Sequence, residues 1–177
     1  MTGSMDGPRT MAAELMGALR AAGSEVLFGV PGGGHNLEMV GAAEDVGMRF
    51  VLGHTETATA IMAACYADVR GAPTACVVTR GPGAASAVNG VAQAQLDCQP
   101  LVLLADVVAA AERPRTPHQL VDQRALFAPV TRWSATLGGR GADRVSAAAV
   151  AVAGSARPGP VHLDFDPTYA EVDQAPD

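Results

Sequence analysis

Short, unbroken apolar runs alternate along this chain with longer stretches in which apolar and polar positions recur at helical spacing. The pattern predicts a helix over 10–22, an apolar strand over 25–29, a helix over 36–46 and a strand over 49–52. A small-residue helix then opens at Glu56 and ends in Tyr66-Ala67-Asp68 before Gly71. Thr74 to Thr79 carries β-branched residues in an apolar run and reads as a buried strand. A helix follows Gly81-Pro82-Gly83 as far as Leu96, and Pro100 to Ala105 is a further strand. The Pro-rich segment 113–117 leads through a short helix to a strand over 130–133, then a helix over 142–156 and a strand over 161–165. Continuous apolar strands separated by helices mean a parallel sheet covered on both faces. The expectation is one α/β domain, a three-layer α/β/α sandwich around six parallel strands, over residues 9–169, with disordered ends at 1–8 and 170–177.

Composition narrows the function classes. At 177 residues the chain supports one substantial core and not two. Its apolar half is dominated by Ala and Val, which suits helices packed closely on a sheet. The net charge of −6 argues against nucleic acid or an anionic membrane as partner. No apolar stretch reaches the roughly 18 residues of a membrane helix, and no leader sequence opens the chain, so a cytoplasmic location is expected. Cys65, Cys76 and Cys98 have no CxxC spacing and no His partner; they read as reduced core residues, with no metal site.

In a parallel sheet the chemistry gathers where strand carboxyl ends feed helix N-termini. Three loops would share that edge: Gly29 to Asn36 (G-V-P-G-G-G-H-N), Gly53 to Glu56 (G-H-T-E) and Thr79 to Ala84 (T-R-G-P-G-A). The first is out of register with G-x-G-x-x-G, and a chain without lysine cannot supply the G-K-[ST] of a phosphate loop. The glycines either let backbone approach a flat ligand or simply make turns. Glu56 either complements the dipole of its helix behind a Thr55 cap or is an acid with a chemical task.

The order G-V-P-G-G, H-x-E, Y-A-D-V-R-G, T-R-G-P-G-A-A-S-A-V-N-G, D-C-Q-P-L-V and R-P-G-P-V-H-L-D-F resembles the N-terminal pyrimidine-binding (PYR) domain of thiamine-diphosphate enzymes. The relatives in view are of the acetolactate synthase, benzoylformate decarboxylase and sulfopyruvate decarboxylase type, and the likeness covers about 11–166. It implies the flavodoxin-like thiamine-diphosphate-binding fold. It also implies that Glu56 hydrogen-bonds N1′ of the aminopyrimidine, favouring the imino tautomer whose 4′ nitrogen takes the thiazolium proton. Such an acid must hold or share a proton, and the run Ala58, Ala60, Ile61, Met62, Ala63, Ala64 offers an apolar setting. Gly81, Pro82, Gly83 and Ala84 match the loop whose backbone lies against the pyrimidine. Gly32 and Gly33 match a turn toward the substrate side.

Gln119 falls in the family's F-Q-E segment of the substrate channel, where this chain has His118 and Leu120 in place of Phe and Glu. His118 is either a proton donor to substrate or an ordinary surface residue. Arg80 stands where relatives carry Ser or His. It either favours a substrate with a second anion (carboxylate, sulfonate or phosphonate) or turns outward. The G-D-G…Asn segment that binds Mg²⁺ and anchors the diphosphate in full-length relatives is absent from the sequence. The resemblance therefore implies a partner subunit carrying that domain, an α₂β₂ assembly, and a 2-oxo acid decarboxylase or carboligase that is inactive without its partner. Because both ends read as natural termini, a split subunit is expected rather than an excised domain. The alternative is a non-catalytic regulatory or binding module that kept the fold.

Overall fold

The computed structural model describes residues 10–32 and 35–176. In chain order its elements are α1 (Met11–Ala21), β1 (Val26–Val30), α2 (Asn36–Asp45), β2 (Arg49–Leu52), α3 (Glu56–Arg70), β3 (Thr74–Val78) and α4 (Pro82–Leu96). Then come β4 (Leu101–Asp106), a 3₁₀ turn at Pro117–Gln119, α5 (Gln123–Phe127), a second 3₁₀ turn at Ala128–Val130, β5 (Trp133–Leu137), α6 (Ala142–Ala153) and β6 (Val161–Phe165). The six strands form one parallel sheet in the order β2-β1-β3-β4-β6-β5. Strands β3, β4 and β6 are buried along their whole length; β3 and β4 are mostly apolar, whereas β6 also buries His162 and Asp164.

Each face of the sheet carries its own core. On one face α1, α2 and α6 bury Leu15, Met16, Leu19, Met39, Val145 and Ala149 against Leu27, Val102, Leu104 and Leu163. On the other, α3, α4 and α5 bury Ala60, Ala63, Ala64, Ala84, Ala87 and Phe127 against Val26, Cys76, Leu101 and Leu103. The small side chains of this second face let α3 and α4 approach closely. A β-carbon at Gly90 would lie 2.7 Å from Cβ of Ala60 and 2.9 Å from the Thr57 carbonyl oxygen. The Thr57 hydroxyl donates to the Ser86 carbonyl across the same seam. The two helix N-termini are thereby fixed side by side, and both carry candidate site residues.

Three expectations are corrected. The strand placed at 130–133 lies at Trp133–Leu137. Pro129 closes a 3₁₀ turn instead, and Ser134 and Thr136 interrupt the apolar signal of the real strand. The C-terminal residues beyond Tyr169 do not trail free: Val172 packs on the first core and Asp173 accepts the Thr136 N–H at 2.7 Å. Of the three cysteines only Cys76 is core; Cys98 is half-buried, and Cys65 is exposed on the outer side of α3. The segment 1–8 lies outside the described residues.

Strand β5 is an outer strand of the sheet, yet two of its backbone groups meet side chains. Arg124 donates to the Ser134 carbonyl at 3.1 Å, and Asp173 takes the Thr136 N–H. Arg124 and Asp173 are themselves paired at 2.9 Å. Among the described residues no helix is long and apolar enough to cross a membrane.

Candidate functional site

Thr55, in extended backbone geometry, caps α3 by accepting the Ala58 N–H at 3.2 Å. Glu56 is the first residue of the helix, so its carboxyl is not needed as the cap. No described residue hydrogen-bonds that carboxyl, which is half-exposed at the helix mouth. The apolar run expected around it is divided instead: Ala60, Ala63 and Ala64 face the sheet while Ala58 and Met62 face outward.

Across from Glu56 stands the first turn of α4. A β-carbon at Gly83 would lie 3.2 Å from Oε1 of Glu56 and 2.5 Å from Cγ2 of Thr79. Gly32, on the β1–α2 loop, presses on the same threonine, since a β-carbon there would lie 2.6 Å from the Thr79 Oγ1. Thr79 is thus wedged between two bare backbone segments, and three loops meet where the sequence predicts they share an edge. Behind them lies Cys76, whose thiol is pushed well above its ordinary range by complete burial and, secondarily, by the Glu56 carboxylate.

Gly81 begins α4 with φ 64° and ψ −110°, a conformation that L side chains rarely adopt. A β-carbon there would also strike the Gln119 carbonyl oxygen at 2.5 Å. Pro82 occupies the first helical position, where its missing N–H costs nothing. Gly81, Gly83 and Ala84 are buried, and Pro82 is exposed.

Arg80 does not turn outward. Its Nε donates to the Gln119 side chain at 2.8 Å, and Nη1 reaches the Val107 carbonyl and Glu112, both at 3.2 Å. Arg80 and Gln119 line a cavity of about 490 Å³ with Gln123, Asp164, Arg113 and Leu120. His118 stays exposed and does not line it; neither does Glu56. Gly33 lies outside the described residues. The sequence thus brings Glu56, Gly32, Gly83 and Thr79 together in one packed cluster, with Arg80, Gln119 and Gly81 beside it.

Residues not singled out from sequence lie beside these groups. Gln123 hydrogen-bonds Gly81, and Asp106 accepts the His35 N–H at 3.2 Å. Asp106 is held above the usual carboxylate range, chiefly by burial, with the His35 contact opposing. His35 is raised by its hydrogen bond to Glu38 at 2.7 Å, against partial burial. Among the described residues no three acidic, His or Cys side chains cluster as a metal site.

Comparison with known proteins places this sequence in a family. The family described as thiamine pyrophosphate enzyme, N-terminal TPP binding domain, matches residues 9–126. The chain is 36% identical over 147 residues to the probable 2-ketoarginine decarboxylase AruI of Pseudomonas aeruginosa, covering 81% of this chain and 26% of that protein. It is 36% identical over 149 residues to the large subunit of acetolactate synthase isozyme 2 of Escherichia coli, covering 84% and 27%. The probable acetolactate synthase large subunit of Methanocaldococcus jannaschii is 33% identical over 151 residues, covering 84% and 25%. The chain spans about a quarter of the length of these relatives. With the six-stranded parallel sheet, the converging glycine loops and these matches, the chain belongs to the thiamine pyrophosphate enzymes, as an N-terminal TPP-binding (PYR) domain.

Proposed function

We propose that this chain is the pyrimidine-binding subunit of a two-component thiamine-diphosphate enzyme acting on a 2-oxo acid. The observation that carries the reading is the Glu56 carboxyl, free of hydrogen bonds from described residues and set directly against Gly83 in the first turn of α4. A carboxyl group without a hydrogen-bond partner, set against glycine backbone at a helix mouth, suits the edge of a flat heteroaromatic ring. Gly81, Pro82, Gly83 and Ala84 would hold the ring, with Thr79 fixing the turn from behind. Glu56 would hold a proton and share it with a ring nitrogen, and the cofactor when bound supplies the electron sink for loss of the 2-oxo acid's carboxylate. Arg80 would keep Gln119 in place on the substrate side through Nε, leaving Nη2, which no described residue engages, for a second anionic group of the substrate.

The diphosphate and Mg²⁺ would be held outside these 177 residues, by a second polypeptide carrying the G-D-G…Asn segment in an α₂β₂ assembly. The outer face of α3 supports such a partner. Ala58, Met62, Cys65 and Val69 recur at helical spacing along one exposed stripe that starts beside Glu56, and Val69 is 90% exposed. A domain covering that stripe would also close over the carboxyl. The outcome expected is decarboxylation, with or without transfer of the acyl group to an acceptor.

The test is Glu56→Gln in the chain reconstituted with the partner polypeptide, thiamine diphosphate and Mg²⁺. Turnover should fall by about 10²- to 10⁴-fold, the usual worth of a positioned proton-transfer group, with assembly intact. Near-normal turnover would sink the catalytic role. A regulatory module that merely kept the fold would show no turnover to lose.

A further inference from the structure

Gln123 is buried, with both amide hydrogens and its carbonyl oxygen engaged in hydrogen bonds. Its Oε1 accepts the Gly81 N–H at 2.8 Å, and its Nε2 donates to the Asp106 carbonyl at 3.2 Å and to the Asp164 carboxylate. Only this orientation of the amide works, because the reverse would set its NH₂ against the Gly81 N–H and its oxygen against two acceptors. Asp164 carries the chain of contacts onward to His162, 3.4 Å away, whose other ring nitrogen meets the Ser134 hydroxyl at 2.7 Å. His162 is fully buried and stacks on Phe127 of α5, the helix that Gln123 opens. The far end of the Gln123 amide is therefore anchored in the sheet.

The near end meets the one residue of the ring-holding turn that needs a special backbone conformation. Gly81 is tied to the segment after β4 three times over: through Gln123, through the Gln119 carbonyl against its Cα, and through the neighbouring Arg80–Gln119 bond. We propose that Gln123 is a positioning residue that fixes the Gly81–Pro82–Gly83 turn and couples it to the wall of the 490 Å³ cavity. The role rests on the reading that this turn receives the aminopyrimidine. Its physical basis is that a Gly81 N–H left unpaired in a buried site would draw the turn toward another acceptor, changing the surface that α4 presents to Glu56.

The test uses the ¹⁵N-labelled chain and needs no cofactor. In Gln123→Leu, a replacement of similar shape, exchange of the Gly81 amide hydrogen should speed up about tenfold, while the ladder amides of β3 and β4 keep their protection. Unchanged exchange at Gly81 overturns the assignment. So does a uniform loss of protection across β3 and β4, which would make Gln123 a general support of the core. If the leucine variant does not fold, Gln123→Glu carries the test. The new carboxyl still accepts from Gly81 but faces Asp164, so the Gly81 amide resonance should gain a titration step between about pH 4 and pH 9 beyond any that the nearby Asp106 and His35 produce in the wild type. A titration curve identical to that of the wild type overturns the proposal. Neither readout involves Glu56, so failure here leaves the Glu56 reading standing, and failure of Glu56→Gln leaves this one.

Discussion

Replacing Gly83 by alanine sets two opposed effects against each other, and the structure decides between them. Alanine is the better helix former by up to about 1 kcal/mol, so by propensity alone the change at the second position of α4 is stabilising. The added methyl, however, would sit 2.5 Å from Cγ2 of Thr79, about 1 Å inside ordinary carbon–carbon contact. Thr79 cannot simply retreat, because its hydroxyl side already lies against Gly32. Overpacking of this kind costs about 1–3 kcal/mol, so the net effect is a loss near 1 kcal/mol and a fall in Tm of about 2–4 °C. Gly41→Ala in α2 is the matched control: nothing lies within 4 Å of its added carbon, and Tm should rise by a similar amount. Thermal and urea unfolding of both variants provide the assay. If Gly83→Ala proves as stable as the parent, the tight fit of the three loops around Thr79 is wrong, and with it the cradle on which the site is built.

Arg80→Ala should raise KM for a 2-oxo acid bearing a second anion far more than for pyruvate in the reconstituted enzyme; equal increases would count against an anion contact. The His35–Glu38 pair gives a pH signature. Because folding raises the His35 pKa, its stabilisation is full below the unfolded value near 6.5 and fades as pH rises through the folded value. Both side chains are largely exposed and screened, so the effect is a few tenths of a kcal/mol, seen as a fall in urea midpoint from about pH 6 to 8 that His35→Gln flattens. Thiol labelling should modify Cys65 within the native protein and spare Cys76 until unfolding, given its burial and raised pKa. Equal rates at the two thiols would contradict the packing of β3 beneath Glu56.

The sheet was legible because its central strands are apolar on both faces, a signal that needs no tertiary knowledge. Thr55 and Glu56 mark the start of α3 in the chain itself. The sequence pattern places strand β5 too early because its side chains alternate between apolar and hydroxyl, while Val130 belongs to a 3₁₀ turn that contains Pro129. Gln123 had no local signal at all. A glutamine at the start of a five-residue helix is unremarkable until folding brings Gly81 and Asp164 to it across 42 and 41 residues of chain. Cys65 reads as a core residue for a related reason: an alanine-rich helix does not say which side faces the sheet. The docking of 172–173 was hidden by the acidic, Pro-ended composition of the tail, which resembles a solvated terminus.

That tail has a practical meaning. Cutting the chain just after β6 would strip the carboxylate from β5, leaving a peptide group and a guanidinium without their partner on an open margin of the sheet. Exposed margins of this sort recruit strands from neighbouring molecules, so a shortened version should precipitate or form intermolecular β-structure even with every ring-binding residue in place. Anyone fusing a purification tag to this protein does best to extend beyond the last residue rather than replace it.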